Sequence, residues 1–373
     1  MRAALFLLPL LVIMKTAVSQ NPEQSTDADA YERIMAFTED RKLRFTVNDV
    51  SRLEDIYGIE GRKKTMQRLN ALFSDVHRHF TPHRNRSRQE AMDFFTTVDS
   101  LLDEHHISQF YMSESFDGDF FNRTLSKPYK GVPCYYISLI YNSLGKIYPF
   151  SIFPVLASDH HIFVRYQWAG KDSSLNWETT IGESRPDRHY IKKNELSRQA
   201  INSGCYLRCL SDRQALATLF RYMGVIEQDK GHDSTMFKFY KKAWQLDTTR
   251  LNSLYALSAC HSELGEPDSA LYYLDKAHAM DTANARTWLA YGFIYEENNH
   301  TDKAIDAYDH ALQLDSLYGR ALYKRARIAL DRDHREKFKQ LYERLMINDA
   351  GNLPYILRLD KLLNTKKNSI HME

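Results

Sequence analysis

Glycine is scarce in this chain, 14 in 373 residues, and nowhere gathers into a run that could cradle a phosphate. With no cluster of carboxylates at metal-ligand spacing either, phosphoryl and nucleotide chemistry is set aside, and neither a cofactor nor a metal is expected. Cysteine is also sparse. Cys134, Cys205, Cys209 and Cys260 are too few for a disulfide framework. Cys205 and Cys209 stand four apart; they either pair with each other or are two buried free thiols, and no second Cys or His pair accompanies them as zinc ligands. Charge of one sign is missing as well. Fifty basic side chains face 48 acidic ones, a net of +2, which supplies no electrostatic case for nucleic acid or an acidic membrane surface. Long apolar runs are absent after the N-terminus. The one candidate, Ala3 to Met14, is interrupted at Lys15 and falls short of the roughly 20 residues that span a bilayer.

That short run follows Arg2 and precedes the small residues Ala17-Val18-Ser19, the pattern of a secretory signal over residues 1–19. Export to a periplasm or to the medium is the expectation, with no membrane span left once the signal is removed. Asn85-Arg86-Ser87 and Asn122-Arg123-Thr124 have the form of glycosylation acceptors, a tripeptide common by chance. A length of 373 residues and 43% hydrophobic content are enough for more than one core.

The last third repeats. Asp247, Asp281, Asp315 and Asp349 each follow the previous one by 34 residues, the period of tetratricopeptide (TPR) repeats. Ala243, Ala277 and Ala311 recur in step, as do Tyr240, Leu274, Tyr308 and Tyr342. A small residue recurs at Gly224, Ser258, Gly292 and Ala326, where paired helices approach. In the clearest unit Trp288, Tyr291, Gly292 and Tyr295 mark the first helix, and Ala304, Tyr308 and Ala311 the second. Residues 214–349 are therefore expected to form four antiparallel helix pairs, followed by a capping helix and tail over 350–373. The proline usual after the second helix is replaced by Thr248, Thr282, Ser316 and Ala350, so capping by Thr and Ser is expected to end those helices. A groove of this kind implies a protein or peptide partner.

Upstream, residues 20–89 carry apolar side chains at spacings of three and four: Leu53, Ile56 and Tyr57, then Met66, Leu69, Leu72 and Phe73. Amphipathic helices follow from that spacing. From Tyr148 the pattern becomes extended. Phe150 to Val155, His161 to Trp168 and Leu175 to Ile181 read as strands, turning at Asp159-His160 and at Gly170 to Ser174.

One chemical constellation spans these elements. Cys134 opens a helix-like run, His161 opens a strand, and Asn176-Trp177-Glu178-Thr179-Thr180 forms the next. A thiol is only a few per cent ionised at neutral pH; an imidazole that takes its proton, itself oriented by a third polar group, makes it a nucleophile. Glu178 and Asn176, two residues apart on the same strand face, are both candidates for that third group.

Lys130-Gly131-Val132-Pro133-Cys134, the helix from Ser138 to Leu144-Gly145, His161-Ile162-Phe163-Val164-Arg165-Tyr166 and Asn176 to Gly182 together resemble the transglutaminase-like superfamily. The closest likeness is to its SirB-type branch, and it extends over roughly residues 90 to 225. The resemblance implies an α+β papain/transglutaminase-like domain over 90–213, a helical part plus an antiparallel sheet, ahead of the all-α TPR solenoid. It implies a catalytic set of Cys134, His161 and Glu178 or Asn176, and it prefers His161 to His160 by the residues that follow. Family members carry aspartate where this chain has Glu178. Two functions follow: a cysteine peptidase, amidase or acyl transferase working through a thioester, or a non-catalytic scaffold that uses the same fold and the repeats to bind proteins.

Overall fold

The computed structural model describes residues 24–39, 45–80, 87–107, 133–148, 150–158, 161–168, 173–347 and 349–370. The expected signal segment, Asn85 and Asn122, Lys130 to Val132, His160 and both strand turns lie wholly or partly outside them. Among the described residues no helix is long and apolar enough to cross a membrane. The chain divides into two compact units between Ser253 and Leu254.

The first unit begins with four helices, α1 (Gln24–Glu39), α2 (Val47–Ile56), α3 (Arg62–His79) and α4 (Arg88–Glu104). Capping is written into the sequence at two of them. Thr46 with Asp49, and Ser87 with Glu90, form reciprocal capping boxes that satisfy otherwise orphaned amides. Leu53, Leu69, Leu72, Val76, Phe94 and Phe95 are buried. Helix α2 contacts α5 (Cys134–Ile147), and Phe95 of α4 lies 5.5 Å from Tyr141 of α5 between ring centres; α5 is apolar on nearly every side and buried from Tyr135 to Gly145.

Each polar handle of α5 reaches a different neighbour. Tyr135 Oη donates to the Ala215 carbonyl at 2.7 Å, Tyr136 Oη to Glu54 at 3.0 Å, and Tyr141 Oη to Asp99. Asn142 Nδ2 donates to the Ile152 carbonyl at 2.8 Å, while Ser143 Oγ accepts from the Val47 amide at 3.0 Å. A β-carbon at Gly145 would sit 2.9 Å from the Phe150 carbonyl oxygen, so glycine is what lets the chain turn back into the sheet here.

That sheet is antiparallel in the order β1 (Ile152–Ser158), β2 (His161–Gln167), β3 (Ser174–Glu178), β4 (Glu183–Ser184). Strand β3 ends at Glu178, and residues 179–182 turn instead of continuing the expected strand to Ile181. Pro154 is tolerated because β1 is an edge strand. The segment 205–210 covers that edge, with the Leu207 and Leu210 amides donating to the carbonyls of Leu156 and Pro154. Two short helices, α6 (Asp187–Lys193) and α7 (Arg198–Asn202), follow. The unit then includes the first repeat pair, α8 (Asp212–Asp229) and α9 (Asp233–Leu246), and the start of α10 (Leu251–Glu263).

The second unit continues the repeats through α11 (Pro267–Met280), α12 (Ala285–Glu297), α13 (Thr301–Leu314), α14 (Gly319–Asp331) and α15 (Arg335–Met346). A last helix, α16 (Asp349–Ile370), is longer than the sequence suggests and buries Tyr355, Ile356 and Leu359 in the same core as Leu322, Ala326 and Leu345. TPR-type helix pairs are thus present at the 34-residue period. Their second helices end differently from expectation. The residues holding the chain after Leu246, Met280 and Leu314 are Asp247, Asp281 and Asp315. Their carboxylates accept from the Thr249 amide and hydroxyl, from Asn284 Nδ2 and from the Leu317 amide, respectively. At Asp247 and Asp315 the carboxylate reaches the backbone amide two residues on, as aspartate does in a turn.

The recurring small residue has a physical cause. A β-carbon at Gly224 would lie 2.7 Å from the Tyr240 ring, and one at Gly292 would lie 2.3 Å from the Tyr308 ring. Tyr308 is fully buried and tethered through its hydroxyl to Glu296 at 2.7 Å, so it has nowhere to withdraw. Gly292→Ala is therefore expected to destabilise the protein by about 1–3 kcal/mol even though alanine favours helix, because overpacking outweighs propensity. Urea denaturation would show it as a lower midpoint.

Candidate functional site

Cys134 is the first residue of α5, after Pro133 in an extended conformation. The first amides of a helix have no intrahelical partner, and their partial positive charge favours an anion at that end. Strand β2 starts with His161 beside a bulge in the β1–β2 register between Leu156 and Ser158. Strand β3 ends with Glu178. The antiparallel register pairs Val164 with Trp177 and so carries the end of β3 towards the start of β2.

The structure brings these three side chains into one row. His161 Nε2 donates to Glu178 Oε2 at 2.6 Å, and the same imidazole is hydrogen-bonded to the Cys134 side chain. Glu178 is almost fully buried, and its carboxylate is saturated. Oε1 accepts from the Thr180 amide at 3.2 Å and hydroxyl at 2.7 Å; Oε2 accepts from His161 and from Tyr190 Oη at 3.2 Å. Tyr190 arrives from α6 and is fixed by stacking on Phe163, with ring centroids 4.2 Å apart and planes 5° from parallel.

The electrostatics follow from those contacts. Burial acts to lower the His161 pKa, but its hydrogen bonds and charge interactions with Cys134 and Glu178 outweigh burial and raise it to about 10. Burial likewise acts to raise the Glu178 pKa. It is outweighed by the imidazole and the Thr180 donors, which hold the carboxyl below its ordinary value. An imidazolium is thus held between a thiol and a carboxylate.

Asn176 does not join this row. Its Oδ1 accepts from Arg165 Nε at 2.7 Å, and its Nδ2 donates to the Arg185 carbonyl at 3.0 Å and to Asp187 Oδ1 at 2.7 Å. Although Asn176 and Glu178 share a strand face, the guanidinium claims the former. Cys205 and Cys209 are not joined in a disulfide, and neither is Cys260 in one. Burial pushes the Cys209 thiol up despite Arg165 nearby.

Several residues around the site gave no sequence signal. Tyr190 comes from a helix 12 residues beyond Glu178. Tyr222 comes from α8, where it looks like any helix residue of the first repeat, yet it interacts electrostatically with Cys134 and its ring lies 5.4 Å from that of Tyr135. Beneath β3, Trp177 stacks on Phe95 at 5.3 Å, and its Nε1 donates to Asp99 Oδ2 at 2.8 Å.

Asp99 supplies a pH test of this support. Burial raises its pKa to about 6, against the hydrogen bonds from Tyr141 and Trp177 that pull it down, with Asp103 adding to the rise. A carboxyl whose folded pKa exceeds its unfolded value near 3.8 contributes stability that is fully present below 3.8 and is lost as pH rises through 6. Wild type is thus expected to gain stability relative to Asp99→Asn as pH falls from 7 to 4. Urea midpoints for both proteins across that range would check the sign.

No protein-family model and no curated protein matches the chain. Solved structures do. Menin, described with its binding site for the Mixed Lineage Leukemia protein, is 13% identical with a TM-score of 0.53, covering 88% of this chain and 77% of menin. YrrB, a TPR protein with an unusual peptide-binding site, is 18% identical with a TM-score of 0.32, covering 47% of this chain and 88% of YrrB. PilF of Pseudomonas aeruginosa is 22% identical with a TM-score of 0.35, covering 43% and 73%. At these identities the menin likeness speaks for the fold alone.

Proposed function

We propose that this chain is an exported cysteine acyl-transfer enzyme, a peptidase, amidase or acyl transferase of transglutaminase-like type, whose repeats bind a protein or peptide partner. The observation that carries the proposal is the single row Cys134, His161, Glu178, with the imidazole charged and the carboxylate saturated. Cys134 Sγ, as thiolate, attacks an amide carbonyl carbon and forms a C–S bond. The oxyanion that develops faces the free amides at the start of α5. The C–N bond then breaks as His161 passes its proton to the leaving amine. Water or a second amine attacks the resulting thioester and gives its proton to His161. The thiolate departs and the imidazolium is restored. Glu178 keeps the ring oriented and stabilises its charge throughout. The resemblance of the surrounding motifs to transglutaminase-like proteins supports this assignment, as does the extent of the motifs that meet at the site.

A second reading is a scaffold that keeps the fold and captures proteins. It is favoured by the likeness in fold to menin, which has a binding site for the Mixed Lineage Leukemia protein. Alkylation separates the two. Iodoacetamide is expected to label Cys134 at pH 6 at least about tenfold faster in wild type than in His161→Ala, read by peptide mass. Equal rates would overturn the enzymatic proposal and leave capture.

A further inference from the structure

The repeats end on a helix whose outer side is apolar. Stacked helix pairs bury their apolar faces on one another, and the last element of such a stack ordinarily turns a polar face to water. The inner side of α16 follows that rule. A β-carbon at Gly319 would overlap the Asn352 side chain, so α16 is seated against the start of α14, and Tyr355 stacks on Tyr323 with ring centres 5.5 Å apart. Helix α15 lies alongside. Asn352 Nδ2 donates to the Leu345 carbonyl at 2.9 Å, and Tyr342 Oη donates to Asp360 Oδ1 at 2.8 Å.

The outer side breaks the rule. Met346, Ile347, Leu353 and Leu357 are 47% to 66% exposed. They adjoin one another, because Met346 and Ile347 follow Leu345, Leu353 follows Asn352, and the Asn352 to Leu345 bond joins the two segments, with Leu357 one turn further along α16. Single exposed leucines need no explanation, but a cluster at the end of a solenoid does.

The charges around this cluster indicate what covers it. Exposed Glu343 stands one turn before Ile347, and exposed Arg358 and Lys361 follow Leu357. An anionic lipid surface or an acidic partner would meet Glu343 as well as the cations. A second copy of the same face meets a match. Antiparallel pairing of α16 with its copy sets Leu353 of each against Leu357 of the other, and it turns the Glu343 edge of one towards the Arg358 and Lys361 edge of the other. A net charge of +2 in 373 residues leaves little long-range repulsion between copies.

We infer that the outer face of α15 and α16 is a self-association surface, occupied by the same face of a second copy of this chain. Each copy then supplies the layer that continues the other's stack, with an apolar centre and a charged rim. The inference is independent of the chemistry at Cys134.

Sedimentation equilibrium of the full chain over about 1 to 100 μM tests it, a range in which a small two-fold contact is expected to form a dimer. Leu353→Asp combined with Leu357→Asp is expected to raise the dimer Kd at least about tenfold, since it places charges at the centre of the contact. Leu264→Asp, at a leucine 63% exposed just after α10, is expected to leave the Kd unchanged. Glu343→Arg is expected to weaken the dimer about threefold or more, and Glu343→Arg combined with Arg358→Glu to recover it. That rescue decides the matter if the double aspartate variant fails to fold, as its urea midpoint would show. Monomer throughout the range would overturn the inference, as would a dimer that survives both aspartates in folded protein or an exchange of charges that restores nothing. Monomeric wild type that binds vesicles of phosphatidylcholine and phosphatidylserine would assign the face to lipid and overturn it too.

Discussion

Glu178→Ala is expected to slow iodoacetamide labelling of Cys134 at pH 6 by about tenfold to a hundredfold, less than the roughly 10²–10⁴-fold of a positioned acid–base group itself, because His161 stays in place. The carboxylate does two things for His161. It fixes the ring through Nε2, and with Cys134 it raises the pKa to about 10. Alanine removes the first and part of the second, leaving Cys134 alone to hold the imidazole proton against burial. Glu178→Gln is expected to fall between alanine and wild type. A carboxylate accepts from all four donors, Thr180 twice, His161 and Tyr190, whereas an amide must turn its NH2 towards one pair of them. Tyr190→Phe removes one donor of four and is expected to cost least.

The pH dependence has a definite sign. The Glu178 carboxyl is held below its ordinary value, so its support for the imidazolium is lost only as pH falls through that depressed value. His161 loses its second proton as pH rises through about 10. The advantage of wild type over His161→Ala should therefore run from that lower limit up to about pH 8.5, above which a thiol ionises without an imidazole's help. A profile confined to a narrow band around pH 6.5 would contradict the assigned contacts.

The second large effect is structural. Arg165→Ala is expected to destabilise the first unit by about 2–4 kcal/mol, which lowers the melting temperature by several degrees. Arg165 is buried, and its fork makes three separate bonds: Nε to Asn176 Oδ1 at 2.7 Å, Nη1 to the Leu207 carbonyl at 2.8 Å, and Nη2 to Asp187 Oδ1 at 2.5 Å. Removing it leaves Asn176 and the Leu207 carbonyl inside the protein without a donor. The Asp187 side chain is half exposed, so water takes up part of its loss, and the expected cost stays below that of a fully stranded charge. Arg165→Lys should rescue little, because one ammonium cannot reproduce three directions. Because Asp187 opens the helix that delivers Tyr190 to Glu178, labelling of Cys134 should slow as well. A change under about 0.5 kcal/mol in urea denaturation would show that these bonds are replaced by water at no cost.

The parts of this molecule readable in its sequence are those governed by local periodicity. The spacing of Asp247, Asp281, Asp315 and Asp349 announces helix pairs, since each turn must recur where each pair ends. The run after Cys134 is apolar on nearly every side, which suits a helix in the middle of a core. Cys134, His161 and Glu178 stood out because thiol, imidazole and acid fall at the starts and ends of consecutive elements, and the structure brings them together. Asn176 shows the limit of that approach. Face periodicity made it equivalent to Glu178, and only the long-range partners Arg165 and Asp187 separate the two. Tyr190 and Tyr222 depend on contacts between separate elements, which no local pattern encodes. The capping aspartates were visible as the repeat mark itself, but their role depends on backbone geometry after each helix.

The measurement that bears most directly on the site is the protonation of His161, followed through the 15N shifts of its imidazole from pH 5 to pH 11. A ring held between Cys134 and Glu178 should carry protons on both nitrogens at pH 8 and titrate near pH 10. A neutral ring at pH 8 that titrates near its ordinary value of about 6.5 would contradict the charged row on which the proposed chemistry stands.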